Sequence, residues 1–254
     1  TFQLRGVTMT PEQTEMYNKI LNQEILRLQS MERVTAPNIL GTILRLQQIT
    51  SGFVSPIDQF GNATSIKAIG KINPKVQELD AILDELGDKP VVIWSRFKYD
   101  VEQITKLLTS KHISWVKYVG GMREFDRSEA ERIFVQGEAQ VFVSIPSAGG
   151  FGMNLQRASY AIYYSNDYSL QNRLQSEDRV HRMGQVNKVT IIDLLATTFD
   201  GGYTIDMVVK AALKSKKGVA DVVTGDIKSF LLAKDITMGN GEIKEVKQIG
   251  QSNN

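Results

Sequence analysis

Pro90-Val91-Val92-Ile93-Trp94-Ser95 is the stretch that decides the fold. Val91 to Trp94 is a short, unbroken apolar run, and a strand without polar alternation is one covered on both faces. Moving toward the C-terminus, the rhythm repeats. A helix is predicted over 99–109, a strand over 114–119, a helix over 124–135 and a strand over 140–145. A glycine-rich turn with a short helix follows, then a strand over 160–164, a helix entering 175–185, and a strand over 188–196. Strands alternating with helices of this length build a parallel α/β sheet with helices on both sides.

Toward the N-terminus the pattern is helical. Asn73-Pro74 opens a helix with Val76, Leu79, Ile82, Leu83 and Leu86 on one face and Gly87 as its stop. Ser51 to Ile72 reads as a loop with a short hairpin. Before it, Ile39, Leu40, Ile43, Leu44, Leu46 and Ile49 line a helix after Pro37, and Thr10-Pro11-Glu12-Gln13 starts another that should reach about Arg33. Four parts are therefore expected: a helical segment and loop (1–73), the α/β lobe (74–200), C-terminal helices packing on it (201–234, with helices over 203–217 and 224–233) and a frayed tail (235–254).

Composition excludes more than it assigns. The net charge of +2 over 254 residues is too small to argue for nucleic acid by itself, so any such surface must come from local placement of charge. There are no cysteines, which removes disulfides and thiolate metal sites, and His112 and His181 lie far apart. No apolar run approaches a membrane span and the start is no signal peptide. The missing initiator Met points to a piece of a longer protein. No G-x-x-x-x-G-K-[ST] phosphate loop occurs; Gly61 to Lys67 has the wrong spacing. Asp84-Glu85 resembles a magnesium-holding acidic pair but falls in the last turn of a helix instead of at a strand end.

Ligands of parallel sheets bind at the carboxyl ends of the strands. The loops there are Ser95-Arg96-Phe97-Lys98, Gly120-Gly121-Met122-Arg123, Pro146-Ser147-Ala148-Gly149-Gly150 and Ser165-Asn166-Asp167. Each has an ordinary reading: solvated charges, a plain Gly-Gly turn, a tight strand–helix connection. Each also reads as a phosphate contact, through backbone amides freed by glycine, a hydroxyl, or a nearby cation. The fold would set all four side by side.

The last element is Gln175 to Gln185, Q-S-E-D-R-V-H-R-M-G-Q. Arg179 and Arg182 are three apart, so on a helix they share a face. Surface salt bridges with Glu177 and Asp178 are the ordinary reading; two forks gripping a phosphate are the alternative.

Gln175-x-x-x-Arg179-x-His181-Arg182-x-Gly184-Gln185 resembles motif VI of the Swi/Snf-type DNA translocases of helicase superfamily two. Ser147 to Leu155 (S-A-G-G-F-G-M-N-L) is similar to their motif V, Val91 to Phe97 to motif IV, and Tyr118 to Gly121 to motif IVa. Thr10 to Tyr17 and the leucine-rich second helix resemble the segment joining the two lobes, so the resemblance covers about Thr8 to Leu195. It implies a RecA-like C-terminal lobe, a P-loop NTPase-like lobe 2 without a P-loop. It further implies that Arg179 and Arg182 are arginine fingers, that Gln175 helps couple the lobes, and that Gly152 and Asn154 lie on the nucleotide side. Ser95, Arg96, Lys98, Gly120, Gly121, Arg123, Ser147, Ala148 and Gly149 would hold the backbone of a DNA strand. ATP and Mg2+ would be held mainly by a first RecA-like lobe of the same protein, with duplex DNA as the other partner and RNA still open. Where many members have Asp-x-x-Trp-Asn-Pro, this chain reads Ser165-Asn166-Asp167-Tyr168-Ser169-Leu170. That departure points to a shorter phage or bacterial branch and a cytoplasmic setting. The rival expectation is a non-catalytic α/β nucleic-acid or protein-binding module.

Overall fold

The computed structural model describes residues 1–32, 35–55, 65–148, 153–181 and 188–214. In chain order the elements are β1 (Phe2–Thr8), α1 (Pro11–Gln29), α2 (Ala36–Thr50), β2 (Phe53–Val54), β3 (Lys67–Ala68), α3 (Pro74–Leu86) and β4 (Val91–Trp94). There follow α4 (Lys98–Ser110), β5 (Trp115–Tyr118), α5 (Glu124–Gln136), β6 (Val141–Ser144), a 3-10 turn (Pro146–Ala148), β7 (Tyr160–Tyr163), α6 (Leu170–Val180), β8 (Thr190–Thr197) and α7 (Ile205–Lys214). The main sheet has six strands in the order β1-β8-β7-β4-β6-β5, and every pair in it is parallel.

Both faces of β4 are buried, as its unbroken apolar run requires. On one face Val91 and Ile93 pack with Leu79, Ile82 and Leu83 of α3 and Val101, Ile104 and Leu108 of α4. On the other, Val92 and Trp94 pack with Ala130 and Phe134 of α5, Val180 of α6, and Met153 and Leu155. This is the parallel α/β sheet with helices on both sides that the alternating pattern predicts, and the three-layer, RecA-like lobe that the resemblance implies. A third core, built from Tyr17, Leu28, Ile43, Leu46, Val209 and Leu213, joins α1 and α2 to α7.

Local chemistry sets the helix ends as read from sequence. The Thr10 hydroxyl accepts from the Gln13 amide at 3.1 Å, Asn73 accepts from the Lys75 amide, and Gly87 ends α3 with φ +57. The helix α1 stops at Gln29, short of Arg33, where the Ser30 hydroxyl donates to the Arg27 carbonyl at 2.8 Å.

Residues 1–73, expected as a helical segment and loop, also hold a strand of the main sheet. Phe2–Thr8 is a strand in register with β8, Phe2 opposite Ile191 and Thr8 opposite Thr197. The expected hairpin in 51–72 is one antiparallel pairing, Phe53 with Ala68 and Val54 with Lys67. The helix expected over 203–217 is α7, Ile205–Lys214; the one expected over 224–233 lies outside the described residues.

Candidate functional site

At β4 and β7 the sheet has its switch point. The chain leaving β4 goes to β5 on one side, and the chain leaving β7 goes to β8 on the other. Such a divergence opens a crevice outside the carboxyl ends of the two strands. Here the crevice floor is sealed by a polar cluster. Asp100, fully buried in the first turn of α4, accepts on one oxygen from Ser165 at 2.7 Å, Ser95 at 2.9 Å and Ser51 at 3.3 Å. Burial pushes its carboxyl up to about 6, against the opposing pull of Ser165, Lys75, Ser95 and Ser51. Lys75 itself pairs with Asp206 at 2.7 Å, both buried.

This cluster relocates two of the residues assigned to a DNA grip. The Ser95 side chain is fully buried and committed to Asp100, not presented to solvent. The Arg96 guanidinium turns to α2, where it donates to Gln47, and lies 4.5 Å from the Tyr168 ring centroid. Burial lowers its pKa, with Asp167 and Tyr168 acting the other way. Lys98, the first residue of α4, is exposed.

The neighbouring loops are open. Gly121 has φ +89, and a Cβ on it or on Gly120 would meet nothing within 4 Å, so both amides are approachable. Arg123 is 82% exposed and makes a bidentate pair with Asp126 at 2.8 and 2.9 Å. One turn on, Arg127 lies over the Tyr118 ring at 5.4 Å with a buried Nε that has no hydrogen-bond partner. Sequence reading passed over Arg127, although its spacing of four from Arg123 was a signal. After β6, Ser147 is exposed and the Ala148 amide is turned back to the Ile145 carbonyl at 2.9 Å. Gly149 and Gly152 lie outside the described residues.

Helix α6 carries the remaining candidates. Ser169 caps it, accepting from the Asn172 amide at 3.3 Å. Arg179 is buried in its last turn, Gln175 is half-buried, and Arg182 lies outside the described residues. The surface-pair reading does not account for Glu177, whose carboxylate is engaged by Arg173 at 2.5 Å. Asn154 is exposed; its amide donates to Glu131 at 2.8 Å and its side-chain oxygen accepts from the Gln156 amide at 3.2 Å. Leu155 ties this segment to α6 by donating from its amide to the Arg179 carbonyl at 3.0 Å.

Arg173 and Asp193 are the functional-region residues sequence reading missed. Arg173 is 5% exposed, yet it reaches Asp193 on β8 at 2.5 and 3.2 Å, Asn166 at 2.7 Å, and the face of Tyr163 at 3.4 Å. Lys210 of α7 meets the same Asp193 at 2.5 Å. Burial opposes the charge on Arg173, but Tyr163 and Asp193 raise its pKa overall; the same burial on Asp193 is overcome by Arg173 and Lys210, which lower its pKa.

Residues 74–184 match the helicase conserved C-terminal domain. The matched stretch opens with α3 and ends just past α6. The chain is 28% identical over 178 residues to a "Chromatin-remodeling ATPase INO80" of Mycosarcoma maydis, a match covering 67% of the chain and 9% of that relative. It is also 31% identical to the Saccharomyces cerevisiae transcription regulatory protein SNF2, over 51% of the chain and 8% of that relative. A similar fold occurs in the C-terminal part of the Fun30 ATPase domain, with a TM-score of 0.67, 16% identity, and 91% of this chain and 97% of that one covered. The chain spans about a tenth of the length of the curated relatives it matches.

Proposed function

We propose that this chain is the second motor lobe of an ATP-dependent translocase on double-stranded DNA, supplying arginine fingers and part of the backbone grip. The observation that carries this is the placement of Arg179. It sits buried in the last turn of α6, its carbonyl bonded by the Leu155 amide, so the motif VI-like and motif V-like stretches are joined there. A Sulfolobus solfataricus SWI2/SNF2 ATPase core in complex with dsDNA, alike in fold at a TM-score of 0.62, supports duplex DNA as the partner.

The donor set fits a shared nucleotide site. The chain offers guanidiniums, hydroxyls and backbone amides but no phosphate loop, and no metal-holding cluster among the described residues. ATP with Mg2+ would be held mainly by a first RecA-like lobe and would supply the phosphoryl group transferred to water. Arg179 and Arg182 stabilise charge at that phosphate, which for such fingers is worth roughly 10³ to 10⁵ in turnover. Gln175 couples the lobes, and Gly152 and Asn154 border the nucleotide. Lys98, Gly120, Gly121, Arg123, Ser147, Ala148 and Gly149 hold DNA phosphates without reading bases, while Ser95 and Arg96 brace that surface from beneath. Closure of the two lobes and their reopening shift one DNA grip against the other. The loop at 165–170 supports a phage or bacterial origin and a cytoplasmic setting.

In the full-length protein, Arg182→Ala should abolish DNA-stimulated ATP hydrolysis and leave DNA affinity nearly unchanged. Equal loss of both would overturn the finger assignment.

A further inference from the structure

We propose that Arg173, locked to Asp193, is a positioning residue that sets the rotation and height of α6, and so the aim of Gln175 and Arg179. This rests on the reading of α6 as the helix that faces the nucleotide.

The Arg173 fork is held from three places: β8, the segment after β7, and the next turn of α6. Nη1 and Nη2 both reach the Asp193 carboxylate on β8, Nη1 also reaches Asn166 after β7, and Nε reaches Glu177 one turn along α6. The guanidinium plane lies on Tyr163 of β7, whose hydroxyl bonds Ser176 of α6 at 2.6 Å. A planar five-donor fork with four of its donors engaged in different directions admits one orientation, which an ammonium on a flexible stem does not. The anchor on the sheet side is itself fixed, since Asp193 is fully buried and held by Lys210 of α7. Asn166 is fixed as well: its carbonyl accepts from Gln47 of α2 at 2.9 Å, and Gln47 in turn accepts from Arg96.

Stability alone does not explain this arrangement. A buried ion pair contributes little compared with well-packed apolar residues, and replacing it is often neutral or stabilising. What a satisfied polar lock supplies is a unique geometry. Arg179 lies six residues further along the same rigid helix, about 9 Å at 1.5 Å per residue. A rotation or slip at Arg173 is therefore delivered undamped to Arg179.

The test is steady-state DNA-stimulated ATP hydrolysis by the full-length protein, with thermal unfolding and DNA affinity measured on the same samples. Arg173→Met should lower kcat by about tenfold to a hundredfold, the scale of an ångström-level misplacement, with KM for ATP and DNA affinity within about twofold. Arg173→Lys, which keeps a cation between Asp193 and Glu177 but loses the planar fork, should lower kcat by a similar factor, and it decides the matter should Arg173→Met fail to fold. A folded Arg173→Met or Arg173→Lys protein with normal kcat overturns the proposal. Arg179→Ala, run alongside, separates the two ideas. Full activity there overturns the reading of α6 and this proposal with it, whereas loss there beside a fully active Arg173→Met overturns the positioning role alone.

Discussion

The backbone amide of Leu155 donates to the carbonyl of Arg179 at 3.0 Å, across 24 residues that include all of β7 and most of α6. A carbonyl in the last turn of a helix has no partner within the helix. Here it is satisfied by the Leu155 amide, which ties the segment before β7 to the end of α6.

Asp100 makes stability depend on pH. Its folded pKa of about 6 lies above the ordinary 3.8, so the folded state holds its proton more tightly than the unfolded state. The contribution is therefore favourable at low pH and is lost as pH rises from about 4 to about 6, by about 3 kcal/mol in all. Urea unfolding at pH 4.5 and pH 7 should show that slope in the native protein. Asp100→Asn should flatten it.

Lys75 and Asp206 are 1% and 5% exposed. Among the described residues, Lys75→Met leaves the Asp206 carboxylate buried with Thr50 and the Ala196 amide as its donors. A loss of about 3–5 kcal/mol is expected by chemical denaturation. A loss under 1 kcal/mol would mean that water reaches Asp206.

Two serines assigned to one role should behave differently. Ser95→Ala removes a buried donor to Asp100 and should cost about 1–2 kcal/mol of stability, with DNA affinity unaffected. Ser147→Ala, at an exposed position, should leave the unfolding midpoint in place and weaken DNA binding by about two- to tenfold. Fluorescence anisotropy with a labelled duplex at fixed salt distinguishes them.

Gly121 has a left-handed backbone and open space around it. Gly121→Ala should cost about 1–2 kcal/mol, the backbone penalty alone, since no neighbour must yield. If the turn receives a DNA phosphate, affinity in the full-length protein should fall well beyond what that loss of stability explains.

The lobe was legible because its signals are local. Val91–Trp94, the caps at Thr10 and Asn73 and the stop at Gly87 each depend on residues a few positions away. Strand β1 was not legible, since Phe2-Gln3-Leu4-Arg5 is an edge segment with exposed apolar residues, and its partner is at the other end of the chain. The Arg173–Asp193 lock escaped for a related reason. A charged residue in a helix reads as solvent-facing until the carboxylate opposite it is known. In the same way Ser95 and Arg96 have the composition of a phosphate loop, and only tertiary packing shows them turned to Asp100 and Gln47.

The pairing of the first strand with the last sets a timetable for biosynthesis. Thr1 bonds Val189 across 188 residues, so β1 leaves the ribosome long before its template exists. At roughly 5–20 residues per second the wait is on the order of ten seconds or more. During it the β1 segment has no partner strand, and once β8 appears its outer edge is open until β1 returns. A fragment cut to the helicase match at residue 74 would keep that edge open permanently, and an unpaired parallel edge is a site for aggregation.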